Sequence, residues 1–247
     1  MKNEIDTFIE KYKEENKPNM EVYISVLRIL DYYSMVPNKY HEMVSALGNI
    51  WGLMWYLRNG IPVASVEYFN KRYKSREEFE ENLEVCCRKL SMFNKHSIKT
   101  LDFYVLQFVF GLEKNFLRLE DGIIATTNGV DYKLILFQDM DENIRYIFDK
   151  ELCLKKYPGK EIKLILKGLE GRYKLKISTL RTEKGTMYYE SSRLGELEDF
   201  DLNDIEYLKN KVIPKMEIEK INVNGVFERK FNLDLFEIKC IEIIKLG

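Results

Sequence analysis

His41-Glu42 opens the pattern in which two histidines one helical turn apart hold zinc and the glutamate between them deprotonates a water. The fifth position is Ser45, so the second ligand is missing and the pattern fails. His96 lies in the polar run Asn94-Lys95-His96-Ser97, with no cysteine or histidine at metal-ligand spacing, and reads as a loop residue. Asp139, Asp141 and Asn143 begin like a calcium loop. Its sixth position is Ile144, where the turn needs glycine, and its twelfth is Lys150, where the ion needs a bidentate glutamate, so a solvated turn is expected. The glycines are scattered and form no phosphate-cradling loop. Glu67 is the best-placed carboxylate. It falls at the C-terminal end of an expected strand, where barrel enzymes keep their chemistry, although it has no identified partner. Tyr68 and Phe69 beside it are a weak candidate ligand-stacking surface, a role that competes with core packing. No metal or other cofactor is implied.

The elements that would position these residues follow from hydrophobic periodicity. Residues 3–16 carry Ile5, Phe8, Ile9 and Tyr12 among charges, an amphipathic helix stopped by Pro18. Met20 to Leu27 reads as a buried parallel strand. Tyr40 to Arg58 is a long helix with Trp51 and Trp55 four apart on one face, which is core spacing. Val63 to Phe69 is a second strand. Ser75 caps a third helix running to about Met92, and Thr100 to Leu112 forms a fourth. This helix and strand alternation is α/β architecture. The pattern then changes. Asn128-Gly129 separates two alternating runs, 122–127 and 130–137, and reads as a hairpin. Strands are expected near 161–167 and 172–179, a short helix capped by Asp201 ends before Pro214, Asn224-Gly225 joins two more strands, and Leu235 to Lys245 is the last. Antiparallel strands at this spacing suggest a β-sandwich. The reading is therefore an α/β segment over residues 1–115 followed by a β-sandwich domain over residues 116–247.

The composition bounds the function class. The chain has 247 residues, of which 45% are hydrophobic, enough for a sizeable core. Its 39 basic and 40 acidic residues nearly cancel, so nothing recommends direct contact with nucleic acid. The N-terminal residues Lys2, Glu4, Asp6, Glu10, Lys11 and Lys13 do not form a signal peptide. The longest apolar run, Val44 to Leu57, is 14 residues and contains Asn49, short of the ~20 that cross a bilayer. Cys86, Cys87, Cys153 and Cys240 form no CxxC and read as buried structural thiols, so a cytoplasmic location is expected.

Four groups of residues carry a resemblance: Gly171-Arg172-Tyr173, Leu180-Arg181-Thr182-Glu183-Lys184-Gly185, Arg193-Leu194-Gly195, and Asp204-Ile205-Glu206-Tyr207-Leu208-Lys209. In this order and spacing they resemble the C-terminal β-domain of glycoside hydrolase family 39, the β-xylosidases, a module also fused to some AraC-type transcription regulators. Ile98-Lys99, Tyr104, Phe108 and Gly111-Leu112 resemble the family's last barrel helix, and Asp121 to Thr126 its first sandwich hairpin. Glu21-Val22-Tyr23-Ile24-Ser25 resembles the seventh barrel strand. The chain departs from the family at three places. Thr100 follows Lys99 where the family has proline, and Ser191 stands where it has tryptophan. Val26 stands where the strand's nucleophilic glutamate would be.

The resemblance implies a partial (β/α) barrel and a sandwich without the chemistry. Retaining glycosidases need two carboxylates ~5 Å apart, one to attack the anomeric carbon and one to protonate the leaving oxygen. Valine cannot attack, and the family's acid/base strand would precede the first residue of this chain. The expectation is a non-catalytic relative that binds xylose or a xylo-oligosaccharide, as the effector part of an AraC-type regulator. Two alternatives stay open: a β-xylosidase-like glycosidase completed by another chain, and an interaction module with no ligand. A quarter-barrel would also leave strand edges and the apolar helix 44–57 to be covered, so self-association or a partner chain is expected.

Overall fold

The computed structural model describes residues 38–58, 92–94, 96–120, 122–138, 159–195, 200–234 and 236–247. The elements are α1 (Asn38–Arg58), α2 (Leu101–Phe110), β1 (Asn115–Glu120), β2 (Ile123–Thr127), β3 (Tyr132–Phe137), β4 (Lys160–Leu180), α3 (Met187–Ser192), α4 (Leu202–Lys211), β5 (Lys215–Leu233) and β6 (Ile238–Lys245). The expected helix 3–16, the strands 20–27 and 63–69, and the helix from Ser75 lie outside the described residues. No helix among the described residues is long and apolar enough to cross a membrane.

The strands form one six-stranded sheet in the order β1-β2-β3-β6-β4-β5, with every neighbouring pair antiparallel. Strand alternation gives the sheet two apolar faces. On one face, Ile124 pairs with Ile135 and Ile135 with Cys240. Together with Phe137, Leu180 and Ile238 they join Met43, Ala46, Ile50 and Met54 of α1 and Leu101, Val105 and Phe108 of α2 in one buried cluster. On the other face, Leu134 pairs with Ile241 and Ile241 with Ile177. These pack with Ile162, Phe227, Phe231 and Leu233 from the far halves of β4 and β5. The ribbon β4-β5 thus folds back over the sheet and supplies the second layer of a sandwich-like domain.

That fold-back corrects two expectations. The runs 161–167 and 172–179 are one strand, β4, and the two layers belong to one continuous sheet. Asn224-Gly225 is not a hairpin turn. Asn224 pairs with Glu170 and Gly225 with Leu169 in the middle of the β4-β5 ladder. Gly225 has φ +81 and lies opposite a register shift between Lys167 and Leu169, where Gly168 has φ +78. Side-chain-bearing residues resist this left-handed backbone, so glycines on both strands let the ribbon bend without ending. The bulge also reverses the alternation of β4. Ile162 faces the core before it, and Leu169, Tyr173 and Leu175 face the same core after it. Arg229, beyond the bend, forms an ion pair with Glu219, before it, and this contact joins the two arms of one strand.

Asn128-Gly129 does mark a hairpin, but the loop has four residues, because Thr127 pairs with Tyr132. The Asn128 Oδ1 accepts from the backbone N–H groups of Val130 (2.9 Å) and Asp131 (2.8 Å), and the Thr127 hydroxyl donates to the Asp131 carbonyl (2.7 Å). Asp201 caps α4 as expected: its Oδ1 accepts from Asn203 N and Asp204 N, and Asp204 Oδ2 accepts from Asp201 N.

Candidate functional site

Val26, Glu67, Tyr68 and Phe69 lie outside the described residues, as do Asp139, Asp141, Asn143, Cys86, Cys87 and Cys153. His96 lies in the turn between Asn94 and Ile98, with its ring edge-on to Phe200 at 5.6 Å between centroids. Cys240 is buried in the sheet and its thiol is pushed up to about 12, chiefly by that burial, which leaves it unreactive at neutral pH. Among the described residues, no group of three or more His, Cys, Asp and Glu side chains could hold a metal ion.

The structure instead brings together two carboxyl groups: Glu42, which the sequence offered only within a failed zinc pattern, and Asp102, which sequence reasoning passed over. Glu42, on the buried face of α1, accepts from the backbone N–H groups of Met187 (Oε2, 3.0 Å) and Tyr188 (Oε1, 2.9 Å) at the start of α3. Asp102, in the first turn of α2, accepts from Ser45 Oγ (Oδ2, 2.8 Å) and Asn49 Nδ2 (Oδ1, 2.7 Å) on α1. Burial pushes Glu42 up to about 7, opposed by its two amide donors and assisted by the nearby Asp102 charge. Burial likewise pushes Asp102 up to about 6, against the two side-chain donors. A sequence signal existed, since Asp102 is the only charged residue in the apolar helix Leu101–Phe110. Its donors, however, lie 53 and 57 residues earlier.

Paired acids with raised pKa values are the raw material of proton-transfer catalysis. Here each of the four oxygens already holds a donor from the chain, and both side chains are buried. The arrangement fastens α1 to α2 and to α3.

Three of the four groups of residues that carried the resemblance, 180–185, 193–195 and 204–209, converge beside this cluster, while Tyr173 of the fourth is buried in the core on the other face of the sheet. Buried Glu190 accepts from Gly185 N (3.2 Å) and from the Tyr207 hydroxyl (3.3 Å), and Arg193 lies 3.6 Å from the same carboxylate. Ile98, Leu208 and Val212 form a small core with Met187, Leu194 and Tyr207 around it. The Tyr104 hydroxyl donates to the Val212 carbonyl (3.0 Å) and ties α2 to the end of α4. These three groups therefore encode a packing knot that holds α2, α3 and α4 together.

No protein-family model and no curated protein matches the chain. Solved structures do match in fold. A monomeric β-xylosidase from Caulobacter crescentus CB15 aligns with a TM-score of 0.70 at 15% identity, over 96% of this chain and 48% of its own. The GH39 enzyme from Xanthomonas axonopodis pv. citri aligns with a TM-score of 0.70 at 12% identity, over 99% of this chain and 48% of its own. A bacterial orthologue of human α-L-iduronidase aligns with a TM-score of 0.64 at 12% identity, over 100% of this chain and 46% of its own. The chain thus spans about half the length of the structures it matches, and what it shares with them at these identities is the fold of that half, which is like that of the glycoside hydrolase family 39 β-xylosidases.

Proposed function

We propose that this chain is a non-catalytic relative of the family 39 β-xylosidases that binds xylose or a xylo-oligosaccharide, as the sugar-sensing effector part of an AraC-type regulator. The observation that carries this reading is Val26, the residue that the family resemblance places at the nucleophile's position. A retaining mechanism forms a covalent glycosyl intermediate on a carboxylate, and a valine side chain offers no atom for that bond. The likeness in fold to β-xylosidases supports the sugar class. Glu42 and Asp102 do not stand in for a nucleophile, because their oxygens are engaged in holding helices together. On this reading the expected strand Val63 to Phe69 belongs to a partial barrel, and Tyr68 and Phe69 give the sugar a stacking surface with Glu67 as a hydroxyl acceptor.

Two measurements on the full chain test the proposal. Aryl β-xylosides should show no hydrolysis above background, and a turnover number near ~1 per second would establish the enzyme reading instead. Calorimetric titration with xylose and xylobiose should show saturable binding that Tyr68→Ala weakens. No heat with either sugar would reject the sensor in favour of an interaction module without a ligand.

A further inference from the structure

The first six residues of β5, Lys215-Met216-Glu217-Ile218-Glu219-Lys220, are all exposed although they are paired in the sheet. Met216 is 54% exposed and Ile218 60%, two large apolar side chains on the same face. β5 is the last strand in the sheet order, and among the described residues its outer edge pairs with no strand. Such an edge presents a row of backbone donors and acceptors ready to receive another strand.

The alternation here restricts what that strand can be. A two-fold axis perpendicular to the sheet keeps faces matched only if the pairing is centred on a residue. Centring on Ile218 would oppose Glu217 to Glu219 twice and Met216 to Lys220 twice. Centring on Glu217 opposes Lys215 to Glu219 twice and Met216 to Ile218 twice. Lysine–glutamate contacts would then line one face, with Glu219 shared between Lys215 of the other copy and Arg229 of its own chain, and apolar contacts would line the other. Its single like-charge contact, Glu217 against itself on the axis, is offset in part by Lys215, whose Nζ lies 2.5 Å from Glu217 Oε1 and which Glu217 shares with Glu219 of the other copy. We propose that a second copy of this chain docks antiparallel on this edge, in the register centred on Glu217, and joins two six-stranded sheets into one. Five residues per chain make a small interface, so the dimer is a weak one.

Charge exchange tests both the surface and the register by sedimentation equilibrium on the full chain, up to about 500 µM. The wild type should associate reversibly, and Ile218→Lys should weaken association roughly tenfold or more. Lys215→Glu alone opposes glutamates at both ends of the pairing, and Glu219→Lys alone opposes lysines, so each should be monomeric. Mixed in equal amounts, these two variants place a lysine against a glutamate at both ends and should form a heterodimer. A wild type that stays monomeric, association indifferent to Ile218→Lys, or a mixture that stays monomeric would each overturn the proposal.

Discussion

Glu42 and Asp102 are acids that folding weakens, and the sign of the consequence follows from linkage. A carboxyl whose folded pKa lies above its unfolded value holds its proton longer in the native state, so its contribution to stability is complete below the unfolded pKa and is lost as pH rises through the folded one. For Asp102 the window runs from 3.8 to about 6, and for Glu42 from 4.5 to about 7. Glu217 and Glu242 are held below their usual value, and their ion pairs with lysines contribute in the opposite sense, lost as pH falls through the acid range. Asp102→Asn should therefore gain stability relative to the wild type between pH 4 and pH 8, by on the order of 2 kcal/mol, because the neutral amide can accept from Asn49 and donate to Ser45 without being ionised. Chemical denaturation at the two pH values checks this, and a gap that does not change with pH would remove the ionisation account. Gly185 gives a prediction independent of pH. A Cβ there would lie 2.4 Å from the Ile213 carbonyl oxygen, on a backbone with φ +77. Gly185→Ala should cost ~2 kcal/mol or more, since strain and clash add and the obstruction is main chain that cannot swing aside; a thermal melt measures it. The sequence showed Gly185 within a recognisable motif, but not the bend at Ile213, 28 residues later, that makes glycine necessary.

The β4-β5 ribbon shows where local pattern stops being informative. Asn-Gly between apolar residues describes a two-residue hairpin and a mid-strand bend equally well. The two differ in whether Val226 or Phe227 shares a face with Val223. Both are apolar, so the sequence alone leaves the choice open. In the structure Phe227 is buried with Val223 while Val226 is exposed, which is the alternation of an unbroken strand. Asn128-Gly129 was legible because the runs around it belong to short strands whose ends are close in sequence. The same holds for Asp201, whose capping partner is three residues away. Gly225→Val should still be clearly destabilising, by ~1–3 kcal/mol, because φ +81 is needed for the bend even though no turn is made. The variant should also release the far arm. Amides of 160–167 and 226–233 should lose hydrogen-exchange protection before those of β6, and uniform loss across the sheet would count against the arm as a separate element.

At the scale of the molecule, the change of pattern near residue 115 suggests two units, residues 1–115 and 116–247, and the core that the structure describes crosses that line. Helices α1 and α2 bury their apolar faces on Ile124, Ile135, Phe137, Leu180, Ile238 and Cys240 of the sheet. Glu42 and Tyr104 add hydrogen bonds from the helices to residues 187–188 and 212. None of these contacts is local, so periodicity could locate the helices and the strands but not their common core. Elements that share one core lose it together, and unfolding should be a single cooperative transition. Both tryptophans, Trp51 and Trp55, lie on α1, so their fluorescence reports the helices, while far-UV circular dichroism near 215 nm reports mainly the sheet. The two signals should give the same denaturation midpoint. Leu180 lies at the junction, 1% exposed in the cluster between sheet and helices, and Leu180→Ala should cost ~2–5 kcal/mol and move both midpoints together. If the tryptophan transition instead preceded the sheet's, or if Leu180→Ala shifted only one of them, residues 1–115 and 116–247 would be separate folding units and the shared core would be a docking surface between them.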